Sequence, residues 1–235
     1  MNIQGSVALV TGANRGIGKA IVAALLAAGA GKVYAAARDV SGIERDPKVI
    51  PLKLDVTKPA DIEAAAKIAK DVTVLINNAG VLDWGGPLEV TDAQLDRNFA
   101  ANFFAPLNLA RAFAPVIEAN GGGALANLLT IVALASMPAL AGYNASKAAS
   151  WSMTQSLRAA LSAKKISVHA VFPGPVDTDM AAGIPMAKTS PADVALAIVN
   201  GIQAGKQDIF PDPMSASVYE AWAKDHKAVE AQFAA

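Results

Sequence analysis

Val7-Ala8-Leu9-Val10-Thr11-Gly12-Ala13-Asn14-Arg15-Gly16-Ile17-Gly18 is the stretch that decides the fold. A short apolar run, Val7 to Val10, meets glycines spaced Gly-x-x-x-Gly-x-Gly and passes into an alanine-rich helix from about Gly16 to Ala28. The alternation continues outward. Strands are expected at Lys32–Ala37, Val49–Leu54, Val72–Ile76, Ala124–Val132, Ile166–Phe172 and Asp208–Phe210. Helices are expected at Pro59–Lys70, with Thr57 as N-cap, at about Thr91–Glu118, Tyr143–Ala163 and Pro191–Ala204, and around Ser217–Phe233. Pro106 and Pro115 should kink or shorten the second of these. Between the second and third strands, Arg38 to Lys48 leaves room only for a turn or a short helix. Short apolar strands alternating with helices predict an α/β chain: one domain over residues 1–235, a doubly wound parallel sheet of about seven strands covered on both faces.

Composition narrows the chemistry. Apolar residues make up 53% of the chain and charged residues 17%, which suits strands buried on both faces. The 20 basic and 20 acidic residues cancel and form no basic run, which argues against a nucleic-acid partner. With no cysteine, disulfides, zinc–thiolate sites and thiol catalysis are excluded, and two distant histidines, His169 and His226, make a metal site improbable. Asn127, Thr130, Ser136 and Pro138 interrupt the apolar run Gly121–Gly142, so it reads as a buried strand and loop rather than a membrane span. Met1 to Gly5 has no signal-peptide character, and a soluble, cytoplasmic protein is expected.

The glycine turn before the first helix suits a dinucleotide. Glycine permits positive φ and close backbone approach, and the helix N-terminus favours a pyrophosphate. Cofactor choice is expected at the end of the second strand, where an acid would bind both ribose hydroxyls of NAD. Ala37 and Arg38 stand there instead, and Arg15 can approach from the glycine turn, so NADP(H) is expected over NAD(H). Asp39 is the counter-indication and is expected to point away. Farther on, Tyr143-Asn144-Ala145-Ser146-Lys147 puts a phenol and an ammonium one helical turn apart. Beside a nicotinamide, the lysine charge is expected to lower the phenol pKa from about 10 toward neutrality.

With these motifs in order, the chain resembles the short-chain dehydrogenase/reductase family, of the NADP-type carbonyl reductase kind, over about Val7–Phe210. Thr11–Gly18 is similar to its glycine motif, Asn77-Asn78-Ala79-Gly80 to its cofactor-lining turn, Tyr143-x-x-x-Lys147 to its catalytic pair, and Pro173-Gly174-Pro175-Val176-Asp177-Thr178 to the segment that meets the nicotinamide. The resemblance implies a Rossmann fold. It also implies cofactor contacts from Gly12, Asn14, Arg15, Gly16, Ile17, Gly18 and Arg38, with Asp55 and Val56 flanking the adenine. Asn78, Ala79 and Gly80 would line the ribose, Pro173, Gly174, Val176 and Thr178 the nicotinamide, and Tyr143 and Lys147 would serve both cofactor and chemistry. Asn77 would tie neighbouring strands through backbone hydrogen bonds. Asn102 would hold a water in a proton relay, and Thr130 stands where the family's catalytic serine is expected. Threonine keeps the hydroxyl but adds a methyl that restricts χ1, and Ser136 is a weaker substitute.

These residues imply a carbonyl reductase for small, mainly apolar ketones or aldehydes, with Thr130 and Tyr143 on the carbonyl oxygen. The rivals are a dehydrogenase oxidising a sugar, steroid or secondary alcohol, and a cofactor-binding sensor without chemistry. Leu82, Asp83, Trp84, Leu134, Met180, Ile184 and Met186 are expected to wall the substrate. The resemblance also implies a homotetramer or dimer paired through the long helix and the Tyr-bearing helix, with Ala148, Ala149, Ala159 and Ala160 allowing close approach.

Overall fold

A computed structural model describes residues 1–234. Seven strands, β1 (Val7–Thr11), β2 (Lys32–Ala37), β3 (Val49–Lys53), β4 (Val74–Asn77), β5 (Gly123–Leu128), β6 (Ile166–Val171) and β7 (Asp208–Ile209), form one sheet in the order β3-β2-β1-β4-β5-β6-β7. All neighbours pair in parallel. The chain runs outward from β1 to β3, then crosses back to lay β4 on the other side of β1. That reversal opens a crevice beyond the carboxyl ends of β1 and β4, where such sheets take ligands.

Alternation along the strands builds the two core layers. Ala8, Val10, Val74 and Ile76 face one side, with Ile21 and Leu25 of α1 (Gly16–Ala27) and Val194, Ile198 and Ile202 of α6 (Pro191–Gln203). Leu9 and Leu75 face the other side. There they meet Ile62 of α2 (Pro59–Ile68), Phe113 and Ile117 of α4 (Ala105–Ala119) and Leu161 of α5 (Ala141–Ser162). Burial on both faces explains why these strands read as continuous apolar runs.

Several boundaries differ from the sequence expectation for identifiable reasons. The helix expected from Thr91 is α3 (Asp92–Phe99), a π-helical turn at Ala100–Phe104, and α4. Thr91 caps α3 reciprocally with Gln94. The wide turn accommodates Pro106, which has no N–H to offer the carbonyl four residues back, while Pro115 rides inside α4 on the exposed side. Strand β5 stops at Leu128 rather than Val132: Leu129 N–H and Ile131 N–H still reach Val171 O and Pro173 O, but Pro173 has no N–H to return and the ladder ends. Lys58, not Thr57, is the residue before α2, and the Thr57 hydroxyl donates to Asp55. The passage from β2 to β3 is made of turns, with Ile43 N–H bonded to Val40 O. The C-terminal segment is two helices, α7 (Pro213–Lys224) and α8 (His226–Ala234). Asp212 and Pro213 start α7 four residues before Ser217, and Asp225 breaks the run by accepting from Lys227 N–H and Ala228 N–H. Among the described residues, no helix is long and apolar enough to cross a membrane, and no group of three or more His, Asp or Glu could hold a metal ion.

A buried polar chain locks the middle of the sheet to α5. Asn77 Nδ2 donates to Asn127 Oδ1 at 2.8 Å, Asn127 Nδ2 donates to Thr154 Oγ1 at 2.9 Å, and Thr154 donates to Ser150 O. Asn77 therefore ties β4 to β5 through its side chain as well as through the backbone ladder, in which it stands opposite Asn127. Asn127→Leu leaves two buried polar groups without their partner, a loss of about 2 kcal/mol. Urea denaturation should show a lower midpoint at unchanged slope; an unchanged midpoint would refute the role of this network.

Candidate active site

Thr11, at the end of β1, organises the nucleotide end of the crevice. Its Oγ1 accepts from Asn78 N–H and Ala79 N–H, each at 3.0 Å, fastening the turn after β4 to the glycine turn. Asn78 Nδ2 returns the contact by donating to Thr11 O and Gly12 O. The fit tolerates no side chain at Gly18, where a Cβ would lie 2.1 Å from Gly12 O and 2.5 Å from Asn78 Nδ2. Gly12 and Gly16 hold φ of +64° and +53°, which disfavour other residues. The result is a bare backbone cradle at the N-terminus of α1, of a kind that accepts a pyrophosphate.

At the rim, Ala37, Arg38 and Asp39 all line the crevice beyond β2. The Asp39 carboxylate is engaged within its own loop by Ser41 N–H at 2.9 Å. Arg15 lies opposite and pairs with Asp179 at 3.1 Å, both strongly exposed. Asp55 accepts from Thr57 N–H and Oγ1, bonds that hold its carboxyl below the usual range against the upward push of burial.

The chemistry-bearing end is built where β5 meets α5. Lys147 Nζ is buried and donates to the carbonyl of Leu128, the last residue of β5, at 2.6 Å. One turn back on α5, Tyr143 is buried with its ring centroid 5.8 Å from Nζ. Thr130 begins the turn Ile131–Ala133 just past β5, and its hydroxyl is near enough to the phenol to affect its ionisation. Burial lowers the Lys147 ammonium to about 8 and raises the Tyr143 phenol to about 12, with Thr130 pulling the phenol partly back. The lowering toward neutrality expected from the sequence is an expectation for the pair beside a nicotinamide; in the protein alone the phenol shifts upward. Burial is the dominant cause, and the neighbour that pulls the phenol back is Thr130 rather than Lys147.

Asn102 sits in the π-helical turn, but its amide does not face the crevice. Its Oδ1 accepts from Val81 N–H, and its Nδ2 donates to Val81 O and to Ser146 Oγ. Ser146 donates in turn to Tyr143 O. Asn102 thus braces the loop after β4 against the Tyr-bearing helix, with Gly80 between it and Lys147; a Cβ on Gly80 would stand 2.9 Å from Asn102 Oδ1. Ser146 is fully buried in this brace, a part its place in the Tyr143–Lys147 stretch had not suggested.

A single cleft of about 1560 Å³ joins both ends, well above the roughly 300–1,000 Å³ of ordinary ligand pockets. Gly12, Asn14, Arg15, Gly16, Ile17, Gly18, Arg38, Asp55, Val56, Asn78, Ala79, Gly80, Tyr143, Lys147, Pro173, Gly174, Val176 and Thr178 all line it. The cradle, the two arginines and the room fit a dinucleotide. Of the expected substrate wall, Leu82, Trp84, Met180, Ile184 and Met186 line the cleft, whereas Asp83 and Leu134 do not. Asp83 is held by Arg97 and Asn98 instead. Ser136 is exposed and outside the cleft, so it offers no substitute for Thr130. The sequence reading missed Met137 and Leu140 before α5 and Met214, Val218, Gln232 and Phe233 on the C-terminal helices. The Asp212-Pro213 start signal and the apolar pair Val229 and Phe233 at i, i+4 were the clues.

A family model described as short chain dehydrogenase matches residues 6–188, and the chain belongs to that family of oxidoreductases. Among similar proteins is a solved short chain dehydrogenase from Burkholderia cenocepacia J2315 in complex with NADP. It is 37% identical, covers 99% of each chain and superposes with a TM-score of 0.94. A 3-ketoacyl-(acyl-carrier-protein) reductase from Brucella melitensis complexed with NADH is 28% identical over 89% of this chain and 98% of that one, with a TM-score of 0.81. Galactitol 2-dehydrogenase from Agrobacterium fabrum is 35% identical over 75% of this chain and 73% of its own. The relatives thus span both cofactors and both directions of hydride transfer.

Burying the Lys147 charge opposes folding. Its pKa of about 8 against an ordinary 10.5 corresponds to roughly 3 kcal/mol of destabilisation below pH 8, relieved as pH rises through 8 toward 10.5. Lys147→Met should therefore be more stable than the parent protein at pH 7, by less than that amount because the bond to Leu128 O is lost. The advantage should shrink between pH 8 and 10, below the range where Tyr143 begins to contribute. Thermal denaturation of the pair across that range tests it; a pH-independent difference would show that the lysine is not buried as a charge.

Proposed function

We propose that this protein is an NADPH-dependent reductase of small, mainly apolar ketones and aldehydes, with Tyr143 as proton donor. The observation that carries the reading is the convergence of Thr130, Tyr143 and Lys147 at the end of a cleft walled there by apolar side chains. When bound, a reduced nicotinamide supplies the hydride. The protein's part is then to hold the carbonyl and deliver a proton. Two hydroxyls, from Thr130 and Tyr143, would donate to the carbonyl oxygen where negative charge develops. A phenol raised to about 12 stays protonated at neutral pH, which suits donation to an alkoxide, a much stronger base.

Lys147, fixed by Leu128 O, would bind the nicotinamide ribose hydroxyls and return the proton to Tyr143. Asn102 would supply the next link through its main-chain carbonyl. Pro106, four residues on, has no N–H for that carbonyl, while the side-chain amide is already engaged. Arg15 and Arg38 support the 2′-phosphate of NADPH, and the ribose-binding acid of NAD-type sites is replaced by Ala37. The same reading takes the enzyme as a cytoplasmic homo-oligomer paired through α4 and α5; Phe104, just before α4, and Ala145, Ala148, Ala159 and Ala160 of α5 are exposed to solvent.

NADPH absorbance with a panel of aryl and alkyl ketones is the test. Tyr143→Phe should lose about 10²–10⁴-fold in kcat, Thr130→Val about 10²-fold or more, and Thr130→Ser should retain or exceed the parent activity. Undiminished turnover in Tyr143→Phe removes the assigned donor. An affinity for NADH matching that for NADPH removes the cofactor preference, and binding without turnover across the panel leaves a sensor. In light scattering, the parent should run as a dimer or tetramer and Ala148→Glu/Ala159→Glu as a monomer; a monomeric parent overturns the assembly.

A further inference from the structure

The C-terminal helices are the part of the cleft wall for which the glycine motif, the Tyr–Lys pair and the matched family segment have no use. Helix α7 is fastened to the loop after β6 by one buried carboxylate. Asp212 accepts from Gly174 N–H and from Ser215 N–H, each at 2.8 Å, the second capping the helix. The approach is close enough that a Cβ on Gly174 would sit 3.0 Å from Asp212 Oδ1 and 3.5 Å from Met214. A run of aromatic contacts secures the rest of α7: Phe172 stacks on Phe210, Phe210 on Tyr219 at 4.2 Å, and Tyr219 on Trp222, which meets Trp151 of α5 edge-on.

Helix α8 is held far more lightly. Of its nine residues only Val229 is buried and Phe233 half-buried, one turn apart on the same face; the others are exposed. Phe233 packs against the apolar cluster of Leu129, Ile131, Val132, Leu140, Tyr143, Ala170 and Phe172, as do Met214 and Val218, and all three line the cleft. A large ring is thus delivered to the tyrosine end of the cleft by a helix with little else to anchor it.

From this arrangement we infer that Phe233 is the specificity-determining residue that sets the size of the carbonyl substrate, closing the apolar pocket on the side away from the glycine cradle. The inference rests on the reductase reading and deepens it. An aromatic ring fills the space that the second substituent of a ketone needs, so small alkyl methyl ketones fit while ketones with two bulky substituents collide with it. Removing the ring opens the pocket and leaves the Thr130 and Tyr143 hydroxyls and the Lys147 ammonium in the chain.

Phe233→Ala and Phe233→Trp, measured on 2-butanone and benzophenone with NADPH, test it. In Phe233→Ala the ratio of kcat/KM for benzophenone over 2-butanone should rise about tenfold or more, with the change mainly in KM; in Phe233→Trp it should fall. Calorimetric Kd values for the two ketones on the protein saturated with NADP⁺ should move in the same directions. They give a readout should the parent prove unable to turn over ketones, an outcome that would defeat the reductase reading but not this one. Ratios within about twofold of the parent in both variants, by kinetics and by binding, would overturn the role of Phe233.

Discussion

One buried ammonium holds the candidate site together. Lys147 reaches across from α5 to the carbonyl of Leu128 at the point where β5 ends, and that 2.6 Å bond sets the distance between helix and sheet. Everything chemical hangs from the two ends of that bond. Tyr143 lies one turn back on the helix, and Thr130 lies two residues past the strand, so the lysine dictates how the two hydroxyls meet. Holding a charge there opposes folding, and the surroundings offset it. The Asn77–Asn127–Thr154 chain ties the same helix to the same strand a few turns further on, and the Asn102–Ser146 bond ties it to the loop after β4. Helix α5 is thus fixed at three heights by buried polar contacts. Such rigidity is what a pair of hydrogen-bond donors aimed at one oxygen requires.

Legibility in the sequence followed the physics of each element. The parallel sheet was readable because strands buried on both faces carry unbroken apolar runs, and because the first glycine turn sits between a strand and a helix. Gly18 was readable as a backbone approach, although only coordinates show that its partners are Gly12 O and Asn78 Nδ2. Boundaries set by a single missing donor were harder. Pro106 announced an interruption near residue 106, yet a wide π-helical turn keeps the helix continuous where a break was equally plausible. The direction of the Tyr143 pKa shift was not readable at all, since it depends on how deeply the pair is buried and not on its spacing. Tertiary approach also hid the cleft wall: the Asp212-Pro213 start and the Val229/Phe233 pair announce helices with an apolar face, but not that this face packs on the cluster around Ile131 and Tyr143.

Charge is distributed along the cleft in a way that matches a two-part ligand. Arg15, Arg38, Asp39 and Asp55 cluster at the glycine-cradle end, where a phosphate-bearing cofactor belongs. Beyond Lys147 the lining turns apolar, with Trp84, Met137, Leu140, Met180, Met186 and Met214. The ammonium sits at the boundary between these regions. A buried cation at that boundary can serve ribose hydroxyls on one side and a phenol on the other, while substrate beyond it experiences a poorly solvated pocket in which hydrogen bonds to a developing alkoxide strengthen.

Thr130 shows how the departure from serine is accommodated rather than merely tolerated. Its backbone is extended, with φ of −173°, a conformation that β-branched residues adopt readily. The hydroxyl oxygen accepts from Val132 N–H at 3.4 Å, which leaves its single proton to be given toward the cleft. A serine at this position could swing its hydroxyl among three rotamers; the threonine methyl removes part of that freedom and adds to an apolar layer of Leu129, Ile131 and Val132. The same methyl narrows the approach to the carbonyl. Phe233 packs against the cluster that holds those three residues, so in the reductase proposed above its ring and the threonine methyl would together restrict how a carbonyl's substituents lie.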